Sequence, residues 1–256
     1  MKKKRVVVIS DLHCGHLVGL TPPQWYRRNP EGSKKNKYLT VQRQCWDFYA
    51  STIRSLGKID ILIVNGDCID GRGEKTGSTE LIETNRKEQC TMAVNCIKFA
   101  NAKSIYMTYG TSYHTGDKED WEEFIADKLG AKIGAHEWLE INGNIIDIKH
   151  HIGGSEWGGL SNDRIQNVLW SLHSEQPKAD IIIRSHIHRY RSISDGYFTA
   201  ITTPALQGMG SKYGARRCNK RVDFGFVVID FDEKGGFTCT PYLAKVEAQK
   251  AKAIKL

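Results

Sequence analysis

Apolar positions along this chain fall into short unbroken runs that alternate with stretches repeating at helical spacing. Val6-Val7-Val8-Ile9, Ile61-Leu62-Ile63-Val64 and Ile181-Ile182-Ile183 are rich in β-branched residues and too short for helices, which predicts buried strands. Ser104 to Tyr109 reads as a further strand. Between the first three strands, Val41, Cys45, Trp46, Phe48, Tyr49, Ile53 and Leu56 recur at helical spacing, predicting a helix over 39–56 with Gly57 as its stop. A second amphipathic helix is expected over 79–101, and a short third one over 121–129 ahead of Gly130. Strand and helix alternate through this half, so a parallel sheet with right-handed crossovers follows.

The second half has a different texture. Residues 136–141 and 144–149 flank Asn142-Gly143, a pair that readily takes the positive φ angles of a tight hairpin. A helix over 164–173 carries Ile165, Val168, Leu169 and Leu172 on one face. Further strands are expected at 180–184, 197–203, 226–231 and 236–243. No repeat and no convincing linker divides the chain, so 1–256 reads as a single domain. The basic loop 21–38 and the C-terminal tail 245–256 are its expected flexible parts.

Composition narrows the class. No apolar run approaches the roughly 20 residues needed to cross a bilayer, and the Lys-rich start lacks a signal peptide's apolar stretch, so a soluble, cytoplasmic protein without a membrane partner is expected. Seven scattered cysteines with no Cys-x-x-Cys pair indicate neither a disulfide framework nor a zinc knuckle. The formal charge is +8, concentrated in two loops: Arg27, Arg28, Lys34, Lys35 and Lys37, then Lys212, Arg216, Arg217, Lys220 and Arg221. Two readings of loops 27–37 and 212–221 stand: solvated surface, or contact with nucleic-acid phosphates, with Trp25, Tyr26 and Tyr213 available to stack on bases. The oligomeric state is not legible.

The chemistry collects where strands end. Asp11 and His13 close the first strand at i, i+2, so both side chains point the same way on an extended backbone. Asp67, the loop holding His114, the pair His150 and His151, and His186 with His188 follow other strands. An α/β fold brings such ends to one edge, where ligands bind. Mixed carboxylate and imidazole donors suit Mn, Fe, Zn or Ni better than Ca or Mg. Two such ions about 3.5 to 4 Å apart form a recurrent apparatus for phosphate ester hydrolysis. Adjacent side chains on a strand point oppositely, so one of His150 and His151 faces a centre of this kind.

The order Asp-x-His, Gly-Asp, a glycine loop ending in His, a lone His and then His-x-His, spread over residues 11–188, resembles the calcineurin-like metallophosphoesterases. The resemblance implies a four-layer α/β/β/α sandwich, with two central mixed sheets flanked by helices. It implies two divalent ions, manganese ahead of iron, zinc, nickel or magnesium. Asp11, His13, Asp67 and His188 would hold the first ion, and Asp67, His186 and either His150 or His151 the second. The family's lone His is directly followed by a small turn, which favours His151. The implied reaction is attack of a metal-bound hydroxide on a phosphate ester, with His114 protonating the leaving oxygen.

Two departures stand out. Ser185 replaces the usual glycine of Gly-His-x-His. Gly110-Thr111-Ser112-Tyr113-His114 replaces Gly-Asn-His, leaving Thr111, Ser112 or a water to take the asparagine's place on the second ion. This Gly-Thr-x-x-His form is similar to that of phage-encoded members, which implies a host-cell cytoplasm. Asp70 and Arg72 resemble, with one residue inserted, a segment of the Ser/Thr protein phosphatases in which the aspartate orients a neighbour and the arginine clamps phosphate; a capped turn is the plainer reading. Substrates implied are a nucleic acid, for a nuclease or phosphodiesterase, or a protein or small-molecule phosphomonoester. A binding scaffold that has kept the fold without catalysis is the alternative of another class.

Overall fold

Alternate residues of the first strand, β1 (Lys4–Ile9), serve two different cores, and this parity sets the layering of the molecule. In the computed structural model, which describes residues 1–26, 37–116, 120–153, 158–173, 175–209, 222–246 and 254–255, Val7 and Ile9 pack outward against helices. Val6 and Val8 pack inward against a second sheet. All four are fully buried.

The first sheet has the order β11-β10-β1-β2-β3-β4, where β2 is Ile61–Asn65, β3 Ser104–Thr108, β4 Lys132–Gly134, β10 Phe224–Phe231 and β11 Phe237–Ala244. Strands β1 to β4 run parallel, and β10 pairs antiparallel with both β1 and β11. Its outer face is covered by α1 (Lys37–Leu56), α2 (Arg86–Phe99) and α4 (Trp121–Leu129), through residues such as Tyr49, Cys96 and Ile125. The second sheet has the order β5-β6-β7-β9-β8, with β5 Glu137–Ile141, β6 Asn144–Ile148, β7 Ile181–Arg184, β8 Arg191–Ser194 and β9 Thr199–Thr202. Ile146, Ile148, Ile181 and Ile183 face the first sheet, while Ile182 and Ala200 face α5 (Gly158–Leu172). The result is the α/β/β/α sandwich, with mixed sheets, that the sequence led us to expect.

Several expectations change. Residues 79–85 are not helical, because Asn85 caps α2 by accepting the Lys87 N–H and so starts the helix at Arg86. Strands β4 and β8 and the one-turn helix α3 (Ser112–Thr115) escape the sequence pattern because three or four residues are too few to show a period. Basic residues 27–36 and 212–221, with Tyr213, lie outside the described residues, as does 247–253 of the tail. No helix among the described residues is long and apolar enough to cross a membrane.

Helix α5 settles what the helical spacing left open. Its apolar residues Ile165, Val168, Leu169 and Leu172 are exposed, the first three along an open groove shared with Phe198 and Ala200 of the second sheet. The buried side of the helix joins Leu160 to polar groups. Asp163 pairs with Arg184 Nε at 3.2 Å, and Asn167 donates to Asp147 at 3.3 Å while accepting from the Ala179 amide. Arg184 and Asp147, from neighbouring strands, are themselves joined by a two-pronged ion pair at 2.7 and 3.2 Å, 1% and 0% exposed at their side chains. His136 donates to the same carboxylate at 2.8 Å. Removing one partner of a buried pair strands the other charge, which costs about 3–5 kcal/mol, whereas replacing both with apolar groups costs far less. Urea denaturation of Asp147→Ala and Arg184→Ala should each show a loss of that size, and Asp147→Leu combined with Arg184→Met should recover only part of it, because Asp163, Asn167 and His136 then lose their partners.

Candidate metal centre

Past the strand ends the seam between the sheets changes from isoleucine to hydroxyl and amide. Thr108 donates to Asn65, Asn65 to Ser185, and Thr203 bridges Ser185 and Ser10, each link 2.6 or 2.7 Å long. This buried chain ties β3, β2, β7, β9 and β1 together beneath the loops that carry Asp11, Asp67 and His186. Ser185 is therefore more than a small stand-in for glycine: its hydroxyl is the middle of the tie.

Above this tie the backbone takes an unusual course. Asp11, His13, Asp67, His186 and His188 all have positive φ, at 51°, 44°, 54°, 71° and 54°. Non-glycine residues rarely adopt this left-handed conformation, at about 1–3 kcal/mol each, and such residues gather at functional sites. Main-chain bonds hold the arrangement: the Asp11 and His13 amides donate to the Gly66 and Asp67 carbonyls. Gly66 and Gly110 make the close approach feasible, since a Cβ on Gly66 would meet His150 at 2.5 Å and one on Gly110 would meet Asp67 at 2.2 Å.

Among the described residues three sets of donor atoms result, each within 4.8 Å of one another: Asp11, His13 and His188, and Asp67, His150 and His186, with His13, Asp70 and His114 as a third that shares His13. His13 Nε2 and His188 Nε2 face each other at 3.3 Å. His13 Nδ1 donates to the Asp70 carboxylate at 3.1 Å, which leaves the lone pair of Nε2 turned toward His188. Two nitrogens bound to one tetrahedral ion at about 2.1 Å would lie about 3.4 Å apart. In the second set, His150 Nδ1 donates to the Asn65 carbonyl at 2.7 Å, and its Nε2 points at Asp67 Oδ2, 3.1 Å away. Asp11 Oδ1 lies 3.1 Å from His188 Nε2 and 3.9 Å from His150 Nε2, so it links the first two sets. A carboxylate or main-chain carbonyl fixing one ring nitrogen while the other faces further donor atoms is the arrangement of metal-bound histidine. The residues present thus fit divalent ions.

The electrostatics agree. Burial raises the Asp11 carboxyl, yet His188 and His150 outweigh it and hold the group down to about 2. Asp67 is likewise held well below the usual range, burial being overcome by His150, His114 and His13. Burial, with His114 beside it, pushes His13 down to about 4, and burial with His150 does the same to His186. His150 goes the other way: Asp67 and Asp11 overcome its burial and raise it to about 10.

Of the adjacent histidines, His150 faces inward and His151 is exposed, its ring 4.9 Å from that of His186. The reason is strand parity: Ile146, Ile148 and His150 share one face of β6 and its continuation. This corrects the preference for His151. Thr111 donates to Asp67 from both amide and hydroxyl, at 2.7 and 3.0 Å, while Ser112 is exposed at the start of α3. His114 donates from Nδ1 to the Asp70 carbonyl at 2.9 Å, and its ring meets that of His13 edge-on at 4.4 Å. Asp70, 5% exposed, thus touches both histidines. Arg72 stands apart, exposed and 3.9 Å from Glu74.

One residue went unnoticed in the sequence. Glu122, fully buried in the first turn of α4, accepts the Cys68 and Gly110 amides at 2.8 and 2.6 Å, one from each loop beside Asp67. Burial, with Asp67 nearby, raises its carboxyl to about 7. Nothing in its spacing signals this role, which depends on a helix docking against two distant loops.

No protein-family model matches the chain, and no curated protein matches it. Among solved structures it is similar to zinc-complexed Vps29 of Entamoeba histolytica, at 14% identity over 93% of this chain and 98% of that one, with a TM-score of 0.45. It is also similar to a conserved protein of Streptococcus pneumoniae described as a predicted phosphoesterase, at 10% identity over 95% and 99% of the two chains and a TM-score of 0.41. An archaeal phosphodiesterase shows 13% identity over 93% and 99%, with a TM-score of 0.45. The donor geometry stands independently of these distant likenesses.

Metal ligands bind deprotonated, so an ion must displace the proton that His150 keeps past neutral pH. Between pH 6.5 and 9 the apparent affinity for Mn²⁺ or Zn²⁺ should rise about tenfold per pH unit for each proton displaced. Calorimetric titration in two buffers of different ionisation heat reads the protons released, and His150→Ala should remove one. Without metal the sign for the fold is opposite: His150, raised in the folded state, contributes stability that is full below about 6.5 and lost as pH climbs through 10.

Proposed function

We propose that the chain is a dinuclear metal-dependent phosphoesterase. The observation that carries this reading is the pair of facing nitrogens, His13 Nε2 and His188 Nε2 at 3.3 Å, with Asp67 within reach of a second donor set. Asp11, His13, Asp67 and His188 would hold one divalent ion, and Asp67, His150 and His186 the other, with manganese favoured and Thr111 beside the second. Such ions polarise a phosphoryl oxygen and lower the pKa of water so that a nucleophile exists at neutral pH.

The chain's own groups supply the rest. Asp67 would offset the charge of such ions, and Glu122 fixes the loops on either side of it. Asp70 orients His13 through its carboxylate and His114 through its carbonyl, so one residue sets both rings. His114 delivers the proton to the leaving ester oxygen, the imidazole being suited to that transfer near neutral pH. Arg72, exposed two residues beyond Asp70, meets substrate charge at the rim. A phosphodiester within nucleic acid is the favoured substrate, on the strength of the +8 charge and its clustering in loops 27–37 and 212–221. The five left-handed donors favour a bound ion, which a metal-holding scaffold would share, so turnover separates the two readings.

Purified protein loaded with Mn²⁺ should hydrolyse bis-p-nitrophenyl phosphate, and a chelator should abolish turnover. Two bound ions with no turnover of the diester or of p-nitrophenyl phosphate would sink the enzyme reading. His114→Asn should keep both ions yet lower kcat by about 10²–10⁴-fold; unchanged turnover would remove its acid role. For the substrate, DNA or RNA binding should weaken steeply with added salt, with a log–log slope near −0.9 for each duplex phosphate contacted or about −0.7 on single strands. A flat salt response points to a small phosphate ester.

A further inference from the structure

Helix α5 buries Leu160 but leaves the rest of its apolar ridge along an open groove that it forms with Phe198 and Ala200 of the second sheet. Its ridge Ile165, Val168, Leu169 and Leu172, at i, i+3, i+4 and i+7, is 53%, 43%, 42% and 74% exposed. Turning the ridge inward would strip Asp163 and Asn167 from Arg184 and Asp147 and leave buried polar groups unmatched. The polar anchor therefore keeps the ridge from closing onto the sheet and leaves the groove open to solvent. Alongside lies β8, the edge strand of the second sheet, with Ile193 41% exposed, and Tyr197 beyond it at 81%. Together these side chains form an apolar surface of several hundred Å², a size at which an exposed patch usually marks an interface.

We infer that this face is a homodimer interface, on which a second copy of the chain seats its own α5 about a two-fold axis. Self-complementarity argues for the same chain as occupant. A ridge at helical spacing packs on its own twin as helix pairs do, and β8 presents an open edge beside it. Charge argues the same way. Each copy carries +8, so two copies need nearly neutral ground on which to meet: within the groove Arg164 pairs with Asp195 and lies over the Phe198 ring at 4.1 Å, and Lys178 stands at one end, beside Leu172 and Tyr197. The extent is sufficient, since α5 is about 22 Å long and the face continues to β8, in the range of the roughly 800 Å² per partner that a stable dimer buries. This inference is independent of the proposed chemistry.

Sedimentation equilibrium of the full chain should give twice the 28.9 kDa chain mass at micromolar concentration. Leu169→Glu and Leu172→Glu each enter the interface twice and should raise the dimer Kd at least about a hundredfold. Far-UV circular dichroism should stay unchanged, because Leu172 is already mostly in water. A single-chain mass for the native protein across the micromolar range overturns the proposal. So does a dimer that survives both substitutions, which would place the interface elsewhere.

Discussion

Five residues that carry donor atoms hold the backbone in a conformation their own side chains disfavour, and the surrounding structure is arranged to keep them there. Hydroxyls and amides tie the two sheets below, Glu122 pins two loops from the side, and glycine stands wherever a Cβ would collide. None of these groups is a metal donor. Each removes a way for the donors to relax. Such over-determination is what lets strained residues persist, and its concentration at one edge of the sandwich separates a built site from an accident of polar loops.

Both sheets contribute to the centre. Asp11, His13 and Asp67 follow strands of the first sheet, and His150, His186 and His188 follow strands of the second. Their charges are matched across the seam: low carboxyl pKa values on one side are sustained by imidazoles on the other. The centre is therefore also the polar end of the interface between the sheets, continuous with the isoleucine core beneath.

Much of this was legible in the sequence because short β-branched runs announce buried strands and polar residues after them mark the edge where ligands collect. The grouping of Asp11, His13, Asp67, His186 and His188 follows from that logic alone. His150 was legible too: it shares the parity of Ile146 and Ile148, a stronger guide than the turn that follows. The role of Glu122 was not, since it arises from a helix meeting loops far away in sequence. The orientation of α5 was also hidden. Helical spacing defines an apolar face without saying which way it points, and the deciding fact, a buried Arg184 paired with Asp147, belongs to other elements.

The position of β1 has a consequence for how the molecule comes into being. Its neighbours are β2, made soon after it, and β10, made long afterwards, with Val6 opposite Ile229. During synthesis β1 therefore keeps one edge open until β10 arrives, and its apolar Val6–Ile9 run waits with it. Its donors wait as well, because His186 and His188 follow late in the chain. The donor cluster is thus completed late in folding, and the nascent chain passes through a stage in which an open strand edge and the unfinished cluster are exposed together.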